Sequence, residues 1–227
     1  MAIVSVTGIS RDYTQGTHTV HALRSVDLDI DQGDFVALMG SSGSGKTTLL
    51  NLIGGLDTPT TGQAFVAGQD LSTMSSAALS DLRRERIGFV FQSYNLVPVL
   101  SAVENTEMVL MLRGMSAVKR REKAMETLAA VGLAGMEHRR PNELSGGQQQ
   151  RVAVGRAIAG EPALVLADEP TANLDSQTGT DLIAMMSRLN EEQGITFVFA
   201  THDPKVMAAA KRVIRMEDGQ ITEDIRK

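Results

Sequence analysis

The stretch from Phe35 to Ile53 reads FVALMGSSGSGKTTLLNLI and decides how the rest of the chain is interpreted. Its opening residues, FVALM, form a short continuous apolar run that is typical of a buried strand, and its closing residues, KTTLLNLI, have the spacing of a helix. Residues 40–47 lie between them and match the pattern G-x-x-x-x-G-K-[ST]. A strand, a glycine-rich turn and a helix in this order are typical of a loop that binds phosphate.

The chemistry of this loop follows from its residue types. Glycines let the backbone curl so that successive N–H groups point at phosphate oxygens, and the start of the helix adds partial positive charge. We expect Lys46 to reach the β- and γ-phosphates and the Thr47 hydroxyl to bind Mg²⁺. A serine-rich turn that matches by chance is the alternative, and the flanking strand and helix argue against it. The predicted nucleotide-binding residues of this segment are Gly40, Ser41, Ser42, Gly43, Ser44, Gly45, Lys46, Thr47 and Thr48.

On both sides of the loop, apolar runs of about five residues alternate with longer segments of helical spacing. The predicted strands are Ile3–Thr7, Val20–Ile30, Phe35–Met39, Ala64–Val66, Ile87–Phe91, Ala163–Ala167, Thr196–Ala200, Arg212–Met216 and Gln220–Thr222. The predicted helices are Lys46–Gly55, Ala77–Arg84, Val103–Leu112, Ala117–Val131, Gly146–Ala159, Gln177–Gln193 and Pro204–Ala209. Turn residues separate the early strands, which favours antiparallel pairing, whereas the later strands alternate with helices, which favours parallel βαβ units.

The segment from about Ser75 to Arg140 is helix-rich and differs from its surroundings. We interpret the part from about Asn95 to Arg140 as a helical insertion within one α/β domain. We expect its charge run, Lys119–Lys123, to be a solvated helix face. No internal repeat, low-complexity tract or linker divides the chain, so a single domain over residues 1–227 is predicted.

Composition excludes several classes of function. The chain has 227 residues, of which 42% are hydrophobic and 22% charged, and these proportions are those of a folded globular protein. It has no cysteine, which excludes disulfide scaffolds, thiolate metal sites and cysteine nucleophiles. A net charge of −5 gives no overall attraction for nucleic acid. Residues 1–16 lack the pattern of a signal peptide and no apolar run approaches ~18 residues, so we expect any membrane role to come through a partner.

A second candidate site is the acidic pair Asp168 and Glu169, which follows the apolar strand Ala163–Ala167. Adjacent carboxylates at the end of a buried strand are costly unless something compensates their charge, and a Mg²⁺–nucleotide complex would do so. Asp168 fits a contact to Mg²⁺ through water, and Glu169 fits a base that orients or deprotonates the attacking water. A solvated turn is the alternative, and the nearby phosphate-binding loop favours the functional interpretation.

Two more polar residues occupy the same position at the ends of strands. Gln92 follows Ile87–Phe91, and His202 follows Thr196–Ala200 with one residue between. Because ligands bind beyond the carboxyl ends of parallel strands, we expect Gln92 and His202 to converge with Lys46 and the acidic pair at one sheet edge. Alone, either residue would more often be a cap or a surface residue, so the prediction depends on this convergence.

A second helix start is also suited to an anion. Residues 144–148 read LSGGQ and lead into the predicted helix Gly146–Ala159, with Ser145 as a favourable N-cap and two glycines exposing the first-turn N–H groups. An ordinary capped helix is the alternative. Because residues 40–47 already account for the phosphates of one nucleotide, a second site of this kind would serve a nucleotide held by another copy of the chain in a two-fold, head-to-tail pair.

Taken together, the motifs resemble those of the nucleotide-binding ATPase subunits of ABC transporters, and the resemblance covers essentially the whole chain. Residues 40–47 are similar to Walker A, residues 164–169 (LVLADE) to Walker B with its catalytic glutamate, and residues 144–148 to the family signature. Gln92 resembles the Q-loop glutamine, Asp175 the D-loop aspartate and His202 the switch histidine. Tyr13 falls where the family has an aromatic residue that stacks on adenine.

The resemblance implies an α/β fold: a P-loop NTPase core with a mainly parallel sheet, an N-terminal antiparallel β-subdomain and an inserted helical subdomain. Residues of about 1–94 and 141–227 would form the β-subdomain and the ATP-binding core. Residues of about 95–140 would form the helical subdomain, extended by the signature helix at 145–159. The implied catalytic residues are Glu169, His202 and Gln92, and the implied Mg²⁺ site contains Thr47, Gln92 and, through water, Asp168.

The resemblance also implies partners. Two subunits would close around two MgATP, with Asp175 coupling the pair, while Gln92 links the metal and water to a groove for the membrane permease. The protein would then lie in the cytoplasm, on the inner face of the membrane, with no role for nucleic acid. The residues implied to contact the nucleotide of the opposite subunit are Ser145, Gly146, Gly147 and Gln148.

Within the family, three stretches look closest to the lipoprotein-release and macrolide-efflux branch: Asn51–Asp57, Ile87–Gln92 and Asp168–Asp175. That similarity implies a separate permease with few spans and a large extracytoplasmic domain. Gly155 departs from the family, which usually has alanine at this position, and a glycine inside a helix costs about 1 kcal/mol relative to alanine. No motif residue needed for hydrolysis is missing.

Three functions are compatible with these motifs. The first is an ATP-hydrolysing subunit that powers a separate permease. The second is an ATPase of this type that transmits a mechanical signal through a permease-like protein to an extracytoplasmic enzyme without moving a solute. The third is a soluble ATPase acting on nucleic acid or ribosomes, which a single cassette with an acidic charge balance does not favour.

Overall fold

Two β-sheets form the framework of the protein, whose computed structural model describes residues 2–16 and 18–227. Within those residues the strands are β1 Ala2–Gln15, β2 His18–Asp31, β3 Phe35–Met39, β4 Thr61–Val66, β5 Gln69–Asp70, β6 Ile87–Val90, β7 Leu164–Asp168, β8 Thr196–Thr201, β9 Arg212–Glu217 and β10 Gln220–Arg226. The helices are α1 Lys46–Ile53, α2 Ser76–Arg86, α3 Ala102–Leu112, α4 Ala117–Ala130, α5 Gly146–Ile158, α6 Ser176–Gln193 and α7 Pro204–Ala209.

The larger sheet has the strand order β10-β9-β3-β8-β7-β6, and the five strands from β9 to β6 run parallel. Strand β10 pairs antiparallel with β9 at one edge. Strands β3, β7 and β8 read as continuous apolar runs because both faces of the sheet are covered. Phe35 packs against Phe197 and Phe199 in the core, with ring centroids 5.7 and 4.7 Å away. The predicted parallel sheet is confirmed, and its carboxyl edge carries the polar loops.

The smaller sheet is antiparallel, with the order β2-β1-β4-β5. Strand β1 runs to Gln15, so the predicted strand Ile3–Thr7 was too short. The pairing with β2 shifts register between Val6 and Ile9 and again on either side of Arg11, and these irregularities break the alternation that the sequence would otherwise show.

Other strands also differ from the prediction, and β5 and β10 differ most. The short strand β5 was not predicted, because two polar residues carry no apolar pattern. Strand β10 continues past the predicted end at Thr222 as far as Arg226, and the residues of this extension are exposed. In each case pairing with a neighbouring strand, rather than burial, defines the element.

Helices α3 and α4 lie within the predicted insertion 95–140 and pack against each other and against α5. The charge run in α4 was predicted to be solvated, and this is only partly correct. Lys119 is exposed, but Arg120 and Arg121 both form ion pairs with Glu107, at 3.4 and 2.5 Å. Among the helices that the structure describes, none has the length and apolar character to cross a bilayer.

Candidate nucleotide-binding site

A cavity of about 510 Å³ opens at the carboxyl edge of the parallel sheet, where the loops after β3, β6, β7 and β8 meet. The structure therefore brings Lys46, Gln92, Glu169 and His202 together around one space, as their positions at strand ends predicted. The residues that line the cavity are Val20, His21, Ala22, Ser42, Gly43, Ser44, Gly45, Lys46, Thr47, Thr48, Gln92, Glu169, Ala172 and His202.

The glycines of the loop are required by its conformation. Gly40 has φ +156° and Gly45 has φ +101°. A Cβ atom on Gly40 would lie 2.3 Å from the carbonyl oxygen of Met216, and one on Gly45 would lie 2.6 Å from that of Ala22. The backbone of the loop therefore approaches its neighbours more closely than any side chain allows.

Two polar side chains of the loop, Lys46 and Ser44, make no hydrogen bond to a group outside the loop among the described residues. Lys46 is buried, and its Nζ donates to the carbonyl oxygens of Gly40 at 2.8 Å and Ser41 at 2.9 Å. The buried Oγ of Ser44 has no hydrogen-bond partner among the described residues. A curled backbone, a cation and an unpaired hydroxyl are the features that suit a bound phosphate chain.

Two of the three residues predicted to hold Mg²⁺, Thr47 and Asp168, are in direct contact, while Gln92 lines the same cavity. Thr47 Oγ1 donates a hydrogen bond of 3.1 Å to Asp168 Oδ1. Burial raises the pKa of Asp168, and the charge of neighbouring Glu169 raises it further. A hydroxyl and a carboxylate are hard oxygen ligands of the kind that Mg²⁺ prefers, with water and phosphate oxygens completing the shell. The residues therefore fit Mg²⁺, which would also compensate the charge of the partly buried carboxylate.

The end of β8 fixes Glu169 in place. The backbone of Glu169 is left-handed, with φ +45°, and the Glu169 N–H donates to the carbonyl oxygen of Ala200 at 2.8 Å. Thr201 Oγ1 donates to Glu169 Oε2 at 3.0 Å, and His202 Nδ1 lies 2.7 Å from Glu169 Oε1. The two predicted catalytic side chains are thus in direct contact at the cavity wall. A strained non-glycine backbone is more common at functional sites than elsewhere.

Tyr13 lies beside the cavity. Tyr13 does not belong to the described residues that line the cavity wall, but Val20, its pairing partner in β2, does line that wall. The Arg11 guanidinium sits 4.5 Å from the centre of the Tyr13 ring, and the Tyr13 hydroxyl donates to Asp57 Oδ2 at 2.7 Å. Stacking of this ring on adenine stays a prediction.

The LSGGQ segment is separate from this cavity: none of its described residues lines the wall. Ser145 is exposed and caps α5, since its Oγ accepts from the Gln148 N–H at 3.3 Å while Gln148 Oε1 accepts from the Ser145 N–H at 2.9 Å. A Cβ atom on Gly147 would lie 2.2 Å from Thr178 Cγ2. Gly147 is therefore required by packing against α6, a reason that the sequence did not show.

Asp175 caps helix α6. Its carboxylate accepts from the N–H groups of Gln177 at 3.1 Å and Thr178 at 3.0 Å, and from the Thr178 hydroxyl at 2.5 Å. The hydrogen bond from the Thr178 hydroxyl is the main reason that the pKa of Asp175 is lowered. The structure thus gives Asp175 a local role, and its role between subunits stays a prediction.

Sequence reasoning missed several residues around the cavity. Thr201 holds Glu169 and directly precedes His202, so its place at the same strand end was a usable signal. The backbone of Val20, His21 and Ala22 belongs to the antiparallel sheet, and nothing in its sequence indicates that it approaches the phosphate-binding loop.

Comparison with known proteins agrees with the motifs. The family model for the ABC transporter domain matches residues 23–172. The chain is 45% identical over 217 residues to the lipoprotein-releasing system ATP-binding protein LolD of Chromohalobacter salexigens, a match that covers 96% of this chain and 92% of LolD. It is 44% identical over 227 residues to the macrolide export ATP-binding/permease protein MacB of Rhodopirellula baltica. That match covers 99% of this chain, which spans about a third of the length of MacB.

A solved structure gives the same result for the fold. The ATP-binding cassette MJ0796 of Methanocaldococcus jannaschii, in a dimeric post-hydrolysis state bound to ADP and Pi, superposes with a TM-score of 0.91. Its sequence is 42% identical, and the match covers 98% of each chain. The predicted fold class and the predicted family are confirmed. The chain belongs to the ABC transporter family, as an ATPase cassette of the LolD and MacB type.

Proposed function

We propose that two copies of this chain close head to tail around two MgATP, hydrolyse them and thereby drive a separate membrane permease. The observation that carries the proposal is the composition of the cavity. It contains the phosphate-binding loop, Gln92, Glu169 and His202, but among the described residues it contains nothing from the LSGGQ segment. The cavity has a candidate catalytic base in Glu169 but no LSGGQ segment. A second copy of the chain would complete the site by supplying that segment.

Within one copy we assign each residue of the cavity a role that the observed contacts support. Thr47, Gln92 and, through water, Asp168 would hold Mg²⁺, which when bound neutralises charge on the β- and γ-phosphates. Glu169 accepts a proton from the attacking water or orients it, and Thr201 fixes the carboxylate for this task. His202, which is in contact with Glu169, would contact the γ-phosphate.

Between copies, the exposed Ser145 and the helix start behind it would meet the γ-phosphate held by the opposite phosphate-binding loop, together with Gly146, Gly147 and Gln148. Asp175 would couple the two sites. The dimeric state of MJ0796 with ADP and Pi supports this arrangement by analogy.

The permease is proposed from the relatives. LolD is described as the ATP-binding protein of a lipoprotein-releasing system, and MacB combines ATP-binding and permease functions in one longer chain. A partner permease would place this chain in the cytoplasm on the inner face of the membrane. Binding of ATP favours the closed pair and hydrolysis releases it, which is the motion that the permease would use.

The test uses Glu169→Gln, which removes the base and keeps the shape of the side chain. We expect a loss of turnover of about 10²- to 10⁴-fold with nucleotide binding retained, because general-base catalysis contributes that much. With MgATP the variant should elute as a dimer in size-exclusion chromatography, and it should be a monomer without nucleotide. A Glu169→Gln variant that stays monomeric under saturating MgATP would contradict the proposal.

Two further variants locate the two halves of the site. Adding Ser145→Arg to Glu169→Gln should prevent the dimer while each monomer still binds ATP. Lys46→Ala should abolish ATP binding itself. If Ser145→Arg weakened ATP binding by a monomer as much as Lys46→Ala does, the LSGGQ segment would belong to the site in its own chain.

A further inference from the structure

We propose that Gln150 and Arg156 are positioning residues, which hold the loops that carry Gln92 and Glu169 and tie both loops to helix α5. This inference rests on the proposed function, since it takes these loops as the hydrolytic site. It adds that the helix beginning at Ser145, the end proposed to meet the partner's nucleotide, also sets the geometry of the site in its own chain.

Gln150 joins the two loops with one amide group. Its side chain is fully buried, and Nε2 donates to the carbonyl oxygens of Pro170 at 2.8 Å and Phe91 at 3.3 Å. Pro170 directly follows Glu169, and Phe91 directly precedes Gln92. The Oε1 atom has no hydrogen-bond partner in the described part of the chain. Burying an amide whose oxygen is unpaired costs free energy. The two hydrogen bonds that the Gln150 amide donates therefore explain why a glutamine occupies this position.

Arg156 holds the residues that follow Gln92. Its NH2 group donates to the carbonyl oxygen of Tyr94 at 2.9 Å, and its NH1 group donates to that of Asn95 at 2.5 Å. Tyr94 and Asn95 are both left-handed, with φ +59° and +50°. Two consecutive non-glycine residues in this conformation persist only when their surroundings hold them there.

The Arg156 guanidinium has no competing task. Burial alone lowers its pKa, and no carboxylate within residues 2–16 and 18–227 contributes to the shift. Its planar fork matches the two adjacent carbonyls, which a lysine could not bridge in the same way. The hydrogen bonds of the Arg156 guanidinium therefore hold the backbone that follows Gln92.

Helix α5 connects these contacts to the LSGGQ segment. It begins with the Ser145 cap and carries Gln150 in its second turn and Arg156 in its fourth. Because a helix of this length moves as a unit, a shift of its start on the partner's nucleotide would pass through Gln150 and Arg156 to both catalytic loops. Asn173, which donates to the carbonyl oxygen of Gln92 at 3.0 Å, adds a third tie from the loop after Glu169.

The first test is Gln150→Met, a change of similar volume that removes the donors. We expect KM for ATP and the affinity for ATP to stay within about threefold of the wild type, and kcat to fall about 10- to 100-fold, because small misplacements of reacting groups cost this much. The matched control is Gln149→Met on the same helix, whose amide donates only to the Leu144 carbonyl oxygen among the described residues, at 3.1 Å. The control should keep kcat within about twofold of the wild type.

The second test is Arg156→Lys, which keeps the charge, loses the fork and provides an answer if Gln150→Met does not fold. Its control is Arg151→Lys, because the Arg151 guanidinium donates to the Val131 carbonyl oxygen at 2.9 Å and contacts neither catalytic loop by a hydrogen bond in the described structure. As for Gln150→Met, we expect Arg156→Lys to lower kcat and to retain KM. The Arg151→Lys control should show no such fall in kcat. A parallel loss of kcat, ATP affinity and melting temperature would show a merely structural role and overturn the proposal.

A fluorescent reporter separates this proposal from the proposed function. The chain contains no tryptophan, so Ser93→Trp places a single one in the exposed loop beside Gln92. Without nucleotide, its anisotropy should fall when Gln150→Met or Arg156→Lys is added and should stay unchanged with either control. Equal anisotropy in all variants would overturn the positioning role. If Glu169→Gln did not dimerise with MgATP, the proposed function would be contradicted. The positioning role of Gln150 and Arg156 would still stand.

Discussion

Gly155 shows that a glycine inside a helix need not be required by its surroundings. It is buried inside α5, where a Cβ atom would lie 3.6 Å from Val131 Cγ2 and 3.8 Å from Leu128 Cδ2 and Thr106 Oγ1. These are ordinary van der Waals distances, so the surroundings have room for a methyl group. We expect Gly155→Ala to raise the free energy of unfolding by about 1 kcal/mol, since alanine loses less backbone entropy in a helix. Urea denaturation monitored by circular dichroism measures the difference.

The control for Gly155→Ala is Gly88→Ala in β6. A Cβ atom on Gly88 would lie 2.5 Å from the carbonyl oxygen of Ala157, and a backbone atom cannot move aside cheaply. Gly88→Ala should therefore lower the free energy of unfolding, by about 1–3 kcal/mol for overpacking of this kind. If Gly155→Ala also destabilised the protein, α5 would be packed more tightly at Gly155 than these distances indicate.

Helix α3 illustrates how an element beyond the cavity supports the loop after Gln92. Its first turn has a capping box in which Ser101 Oγ accepts from the Glu104 N–H at 3.4 Å and Glu104 Oε2 accepts from the Ser101 N–H at 2.8 Å. One turn later the buried Asn105 bonds both the N–H and the carbonyl oxygen of Val97 in that loop. The beginning of α3 and the end of the loop are thus one hydrogen-bonded unit.

We expect Ser101→Ala to lower the free energy of unfolding by about 1 kcal/mol, which is the usual cost of removing an N-cap. Ser116→Ala is the matched control, because Ser116 occupies the same position at the start of α4 but its side chain makes no capping hydrogen bond. Chemical denaturation of both variants gives the comparison. Equal losses for the two serines would mean that the cap of α3 contributes nothing beyond serine's intrinsic preference.

At the level of helices and strands, much of the site was predictable from the sequence. Lys46, Gln92, Glu169 and His202 were brought together by one rule, that ligands bind beyond the carboxyl ends of parallel strands. The roles of Gln150 and Arg156 were not predictable. The run Gln148–Gln150 does not indicate which amide points inward, because that depends on how α5 is rotated against two loops distant in sequence. The register shifts of β1 were not predictable either, because they arise from the pairing of β1 with β2 rather than from residue type.

The two sheets of the molecule are joined through Arg212 at the start of β9. Its side chain is 8% exposed and forms a two-pronged ion pair with Asp224 of β10, with Nε–Oδ1 and NH2–Oδ2 distances of 2.8 and 2.6 Å. Its NH1 group reaches across to the carbonyl oxygen of Asp29 in β2, at 2.6 Å. One buried cation therefore links the edge of the parallel sheet to the antiparallel sheet whose backbone forms part of the nucleotide cavity.

We expect Asp224→Asn to loosen this junction and lower the free energy of unfolding at pH 7 by about 1–2 kcal/mol. The value is at the low end for hydrogen bonds to a charged group because 40% of the Asp224 side chain is exposed and solvent screens the pair. The hydrogen bonds from Arg212 lower the pKa of Asp224 in the folded protein. A lowered carboxyl pKa stabilises the fold fully above about pH 5, and this contribution disappears as the pH falls through the folded value.

The difference between wild type and Asp224→Asn should therefore be largest near pH 7 and shrink toward pH 3, since protonation of Asp224 removes the same charge that the substitution removes. Urea denaturation at several pH values measures this difference directly, and subtracting the two curves cancels the other carboxylates. Glu223→Gln is the control, because its ion pair with Arg215 spans 3.4 Å between half-exposed side chains and should contribute close to nothing. If the stability difference for Asp224→Asn did not change with pH, the junction would depend on the shape of the side chain rather than on its charge, and the link between the two sheets would not be electrostatic.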